Sequence, residues 1–487
     1  MRVTFLLDAV AREHPEARHA LETLALLMGY PARFGSEGAA LEAQDVPVHV
    51  GASAPGEGVA ATICVSGWER WTTPDLQLVE FEGRPMPCPR RSLPLELVAG
   101  QFPAAWLRSV GFLLAREEEE SDRRRDQWEC YAGHYSWQYE AGVLERPLVN
   151  VAAAELARRI ESWCQARGIT AEPLERWKDG ARFAVVLSHD VDDITAVSTT
   201  EAWRLLGRAR SPLSYAFRRS LAQMARAWRR GAATDDPYWR FEQWAAEEER
   251  HGFHSTFFVF PPRPAHPHEF DPNYRLEDTI RFEGRMQPFA DVLRALGGRG
   301  FEVGLHASYR SHRSADQLAG EKTQIERATG LPVTGIRQHF LRFDRDTTWR
   351  AQAEAGFAYD STLGYNEAVG FRAGIAAPFR PWDPARRAAS SLLELPLTVM
   401  DGTLFRTLVL DGPQAARRTI DQLDMVEKVG GLAVLLWHPN GADENQFPGW
   451  WASYRDVLAD LSRRSVWVAT GREIDAWWRE REKKILL

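Results

Sequence analysis

The stretch LSHDVDD, residues 187–193, ends an apolar run with one histidine and three acids. A strand that buries Val185, Val186 and Leu187 puts those groups at its end, where unpaired buried charge costs several kcal/mol. Alternation along an extended strand places Asp190 and Asp192 on one side and turns Val191 away. Two carboxylates so close stay ionised cheaply only beside a cation. Other titratable groups stand at the ends of later apolar runs: His306 after EVGL, Arg337 and His339 in GIRQH, and His438 after LAVLLW. Asp combined with imidazoles from several strands suits a divalent metal such as zinc. One acid then holds the metal and the other moves protons.

These groups converge only if the strands that carry them run parallel. From about residue 180 the sequence repeats strand, loop and helix, with candidate strands at 183–188, 255–260, 302–306, 333–338, 392–398, 432–438 and 466–470. Helical patterns separate most of them, which predicts an α/β fold, a barrel or open sheet of parallel strands with its site at the strand ends. Nine of the thirteen histidines fall in this part. The first 170 residues instead mix helical stretches with short strands such as VPVHV (46–50) and ATICVSG (61–67), and hold all four cysteines.

A chain of 487 residues exceeds one ordinary core. Its apolar fraction of 44% excludes wholesale disorder, and a net charge of −7 argues against nucleic acid as a partner. The cysteines form no CxxC pair and offer no thiolate metal site. The first residues lack the long apolar segment of a signal peptide and no later stretch has the length of a membrane span, so the expected address is cytoplasmic.

In order, SHDVDD, STFFV, EVGLHASYRSH, GIRQHFLRFD and LLWHPN resemble the motifs of the polysaccharide deacetylases, over roughly residues 180–487. The resemblance implies a distorted (β/α) barrel, a catalytic domain over 173–487, and a smaller α/β domain of unknown role over 1–172, with LERPLVN (144–150) lying just ahead of the catalytic part. It implies hydrolysis of the N-acetyl amide of a sugar. Carried over residue by residue, it makes Asp190 the general base, Asp192 a metal ligand, Arg337 the group that orients Asp190, His438 the general acid, and the backbone N–H near Phe340 a substrate contact. The usual second motif has histidine four residues after His306, where this chain has Arg310. His339 is the better substitute ligand, with His189 and His312 as alternatives. A register with Asp192 as base and Asp193 as ligand stays open, although Asp193 alone reads as a helix cap. Without a metal the same domain is a catalytically inactive glycan-binding module, and relatives of the fold also hydrolyse small nitrogen compounds.

A cytoplasmic bacterial member meets nucleotide-linked or lipid-linked sugars during surface-polysaccharide assembly. Residues 201–230 carry eight arginines against one glutamate, interleaved with Trp203, Leu206, Phe217, Leu221 and other apolar residues. Such a segment fits helices packed on the barrel, or a peripheral contact with an anionic membrane or a lipid-linked glycan.

Overall fold

The structure is a computed structural model that describes residues 1–52, 58–81, 83–90, 101–196, 202–204, 206, 215–230 and 235–487. The amino-terminal sheet has five parallel strands: β1 (Arg2–Leu7), β2 (Ala32–Ser36), β3 (Asp45–Gly51), β4 (Ala61–Cys64) and β5 (Gln101–Phe102). They are ordered β2-β1-β3-β4-β5, a doubly wound arrangement. Helices α1 (Pro15–Met28), α2 (Ala104–Leu114) and α3 (Leu148–Gln165) accompany it. The opening residues RVTFLL form an interior strand, paired on both sides with β2 and β3.

The larger sheet has nine strands, paired in parallel throughout. They are β6 (Phe183–Val191), β7 (Thr256–Val259), β8 (Glu302–Ala307), β9 (Gly335–Gln338), β10 (Tyr359–Asp360), β11 (Leu393–Glu394), β12 (Val399–Met400), β13 (Leu432–Leu436) and β14 (Val466–Ala469). The order is β11-β10-β9-β8-β7-β6-β13-β12, with β14 also paired to β6. This is the distorted barrel expected from the sequence, curved but not closed between β11 and β12 among the described residues. The expected strand at 392–398 is instead two short ones, β11 and β12, around Pro396. Proline has no N–H for the ladder, so it breaks the run.

β6 explains how one strand both supports the fold and carries chemistry. Ala184 and Val186 join the core that fills the barrel, whereas Phe183, Val185 and Leu187 pack against the outer helices α8 (Gly412–Lys428) and α9 (Trp450–Leu461). Both faces are buried, as parallel sheets require. The same parity carries Ser188, Asp190 and Asp192 inward and His189 outward. Gly304 in β8 allows close packing: a Cβ there would lie 2.7 Å from the Phe258 ring.

The barrel core and the amino-terminal core are continuous, and α10 (Gly471–Ile485) leads the chain back so that Leu487 N donates to Ala32 O at 3.0 Å. Of the arginine-rich segment, helix α4 (Tyr215–Arg230) is described, whereas residues 201, 205 and 207–214 lie outside the described residues.

Candidate metal centre and catalytic cleft

The strand ends open into a cavity of about 480 Å³ lined at its base by Asp190, Asp192, His306, His339 and His438. Register explains the convergence. His306 on β8 is paired with Arg337 on β9, and Asp190 on β6 with Phe258 on β7, so the ends of four adjacent strands meet.

Asp192 Oδ1 lies 3.4 Å from His306 Nε2 and 3.5 Å from His339 Nδ1. Those two nitrogens are 2.9 Å apart. The opposite nitrogen of each ring faces a backbone carbonyl: His306 Nδ1 meets Arg337 O at 3.2 Å, and His339 Nε2 meets Phe270 O at 2.9 Å. Donation to those carbonyls fixes the tautomers and leaves His306 Nε2 and His339 Nδ1 as lone-pair acceptors. Asp192 Oδ1 is itself buried with no donor. Three acceptors therefore point at one another, an arrangement that costs free energy unless a cation sits among them. The ligand atoms all lie within 4.8 Å of one another. The donor set, two imidazoles and one carboxylate, suits zinc-like chemistry and fits a divalent cation.

Burial works to raise the pKa of Asp192, but any proton carried by the neighbouring imidazoles of His339, His306 and His438 in the metal-free protein favours the carboxylate, and the balance holds it below its usual range. Burial lowers the pKa of His339. It is thus neutral and ready to ligate at physiological pH.

Asp190 plays a different part. Its Oδ1 accepts from Arg337 Nη1 at 2.9 Å, and its Oδ2 lies 3.8 Å from His306 Nδ1. Arg337 is fully buried and held in place by Ser188 Oγ, Ser361 O and Ser361 Oγ at 2.8–2.9 Å, with its guanidinium 4.4 Å from the Phe258 ring centroid. His438 Nε2 lies 3.6 Å from Asp192 Oδ2, and its Nδ1 bonds Asp401 Oδ1 at 2.7 Å. Burial lowers the pKa of His438, yet Asp401, Asp192 and Asp190 together raise it to about 9. Its outer nitrogen thus holds a proton toward the cleft.

Phe340 lines the cleft and has φ of 60°, followed by Leu341 at 52°, two consecutive non-glycine residues in the left-handed region. Each costs about 1 kcal/mol or more and persists only where its surroundings impose it. Here Phe340 O accepts from Asn366 Nδ2 at 2.9 Å, and the ring stacks with Trp128 at 5.0 Å between centroids.

The alternative candidates stand apart from this group. His189 faces outward, with Nδ1 2.7 Å from Trp437 O and Nε2 2.7 Å from Glu248 Oε1, so neither nitrogen is available to a metal. His312 sits in the turn after β8 and is not in the ligand group; burial, with Arg342 and Arg313, lowers its pKa to about 3. Among the described residues Asp193 neither joins the ligand group nor caps a helix, and it pairs with Arg219 on α4. Sequence reasoning missed Asp401, whose signal was an acid closing the run LPLTVMD, and Trp128, which had none.

No family model matches the sequence, and neither does any curated protein. Among solved structures, a protein from Mycobacterium smegmatis assigned to the polysaccharide deacetylases is similar at 19% identity and a TM-score of 0.42, over 64% of this chain and 95% of the other. A protein of the same assignment from Pseudomonas aeruginosa matches at 17% identity and a TM-score of 0.41 over the same shares. An allantoinase matches at 16% and 0.43, again over 64% of this chain and 95% of the other.

Proposed function

We propose that this chain is a metal-dependent deacetylase that hydrolyses the N-acetyl amide of a sugar, with the catalytic domain over residues 173–487. The observation that carries the reading is the convergence of Asp192 Oδ1, His306 Nε2 and His339 Nδ1, all within 4.8 Å of one another, with Asp192 Oδ1 buried and lacking a hydrogen-bond partner among the described residues. These residues would hold the divalent cation, zinc by donor type. When bound, the cation supplies Lewis acidity to the amide carbonyl and to the attacking water.

The chain's own groups do the rest. Asp190, held in position by Arg337, takes the proton from water through Oδ2. The N–H of Phe340, held in its left-handed turn, donates to the oxygen on which charge develops. His438, protonated and steered by Asp401, gives its Nε2 proton to the departing nitrogen, which must leave as an amine. The products are acetate and an amino sugar.

The substrate we favour is a nucleotide-linked or lipid-linked sugar of bacterial surface-polysaccharide assembly, handled at the cytoplasmic face. Residues 201–230 support this, since α4 borders the cleft through Arg219 and Gln223 while Leu221 and Trp203 are exposed. Such a segment holds a protein to an anionic surface. Sedimentation with anionic vesicles, lost with neutral ones or at high salt, is the expected result; equal negligible binding to both removes this part of the reading. For the reaction itself, metal analysis and acetate release from a panel of N-acetylated sugars are the test. One metal per chain, absent from an Asp192→Ala, His306→Ala double variant, is expected. Metal retained stoichiometrically in that variant overturns the site.

A further inference from the structure

The amino-terminal part of the chain reaches into the cleft at one place. Segment 126–130 lies across the loop that follows β9. Tyr309 Oη donates to Trp128 O at 2.9 Å, the Cys130 thiol donates to Phe340 O at 3.2 Å, and Glu129 pairs with Arg342. The turn is fixed from within as well, because Asp126 Oδ1 accepts from the N–H groups of Trp128 and Cys130 at 2.8 and 2.9 Å. Trp128 is thereby placed on the cavity wall, half-buried, beside Phe270 and Phe340. One ring contact is the stack on Phe340, and the other is edge-on to Phe270 at 5.1 Å. Its indole N–H has no acceptor among the described residues.

A large aromatic that lines a wet cavity, rigidly mounted and with a free donor at its rim, suits a ligand that has an apolar face edged by hydroxyls. A pyranose ring presents such a face through its axial C–H groups. We infer that Trp128 is a specificity-determining residue for the saccharide, contributed to the catalytic cleft by the amino-terminal region, with its indole stacked on a sugar ring and its N–H donating to a sugar oxygen. Rigid mounting matters because it lets the platform bind without first being ordered. The inference rests on the saccharide part of the proposed function, and it gives the amino-terminal region a role in the site.

The test uses the full chain and the β-1,4-linked tetramer of N-acetylglucosamine. Binding is measured by calorimetry, and the Trp128 indole N–H resonance is identified as the one missing from Trp128→Phe. Tetramer binding should shift that resonance, Trp128→Ala should weaken binding about tenfold, and Trp128→Phe should recover most of the loss. A resonance that stays put while tetramer binds, or binding unchanged in Trp128→Ala, overturns the inference and leaves Trp128 as a prop for Phe340. Acetate release is followed separately. Tetramer that binds at Trp128 keeps the platform, and the deacetylase reading then falls if neither the tetramer nor any sugar of the N-acetylated panel loses acetate; acetate release with binding undiminished in Trp128→Ala does the reverse. Tetramer that does not bind overturns the platform, and the deacetylase reading falls with it if the whole panel releases no acetate.

Discussion

Asp190 and Asp192 stand two residues apart on one face yet have different partners, Arg337 for the first and two imidazoles for the second. Their losses should therefore separate. Asp190→Asn is expected to cut turnover by about 10²–10⁴, the range for a lost proton-transfer group, while the protein keeps its metal by elemental analysis; metal loss in that variant would exchange the two roles. His438 invites a titration. Burial alone would depress it, but Asp401 and the other carboxylates lift it to about 9 in the metal-free protein. As a proton donor it acts below that value, so its ring signal in apo protein should titrate near pH 9, and in Asp401→Asn at lower pH. A midpoint that does not move in the variant would refute Asp401 as the cause. At this scale most of the site was legible. The alternation that put Asp190 and Asp192 together also turned His189 away, and the structure finds it bonded to Glu248 behind the strand. Asp401 left only the acid closing LPLTVMD as a signal, and its pairing with His438 was not legible, since only the fold brings the end of β12 beside the end of β13.

Strands present the ligands, but helices and turns lock their ends. After His306 the chain turns at Ser308, whose N–H and hydroxyl both donate to Glu321 on α7 (Ala315–Thr329). Burial raises the pKa of Glu321 to about 7, and the charge of Asp271 adds to it against the Ser308 hydrogen bonds. A folded-state pKa above the unfolded one means that the unfolded chain loses its proton first as pH rises. The contribution is then full below about 4.5 and is lost as pH climbs to about 7, on the order of 3 kcal/mol at most. Denaturant unfolding from pH 4.5 to 7.5 should show this decline in the wild type and a flatter profile in Glu321→Gln; equal slopes would rule Glu321 out. Elements were legible where runs were long. β6 and β13 show themselves as unbroken apolar stretches because both their faces are buried. β10 and β11, at two residues each, are too short for any period; β10 is a strand through its pairing with β9, and β11 through its pairing with β10.

At the scale of the molecule, the two sheets are joined through buried charge as well as apolar packing. Arg116, just past α2 (Ala104–Leu114), pairs with Glu118 and Glu119, and Glu119 in turn takes Arg372 of the barrel side in two bonds, at 2.9 and 2.8 Å. Arg116 also donates to Arg372 O. All of these side chains are at most 2% exposed. None of this was legible in the sequence, where LLAREEEES reads as a solvated charge run, because the partner lies more than 250 residues away. Removing one member should be far costlier than removing a matched pair, since a lone buried charge keeps its desolvation penalty without compensation. Arg372→Met is expected to destabilise by about 3–5 kcal/mol, and because the network spans both sheets, to do so in a single unfolding transition. Adding Glu119→Leu should recover part of that loss, although Arg116 keeps only Glu118 as its counter-ion. Chemical denaturation followed by fluorescence and by far-UV circular dichroism decides the matter. Coincident curves with a partial rescue support one cooperative unit joined through Arg372. Two separated transitions, or a double variant weaker than the single one, would show that the halves stand independently and that the ion cluster stabilises neither junction nor cleft.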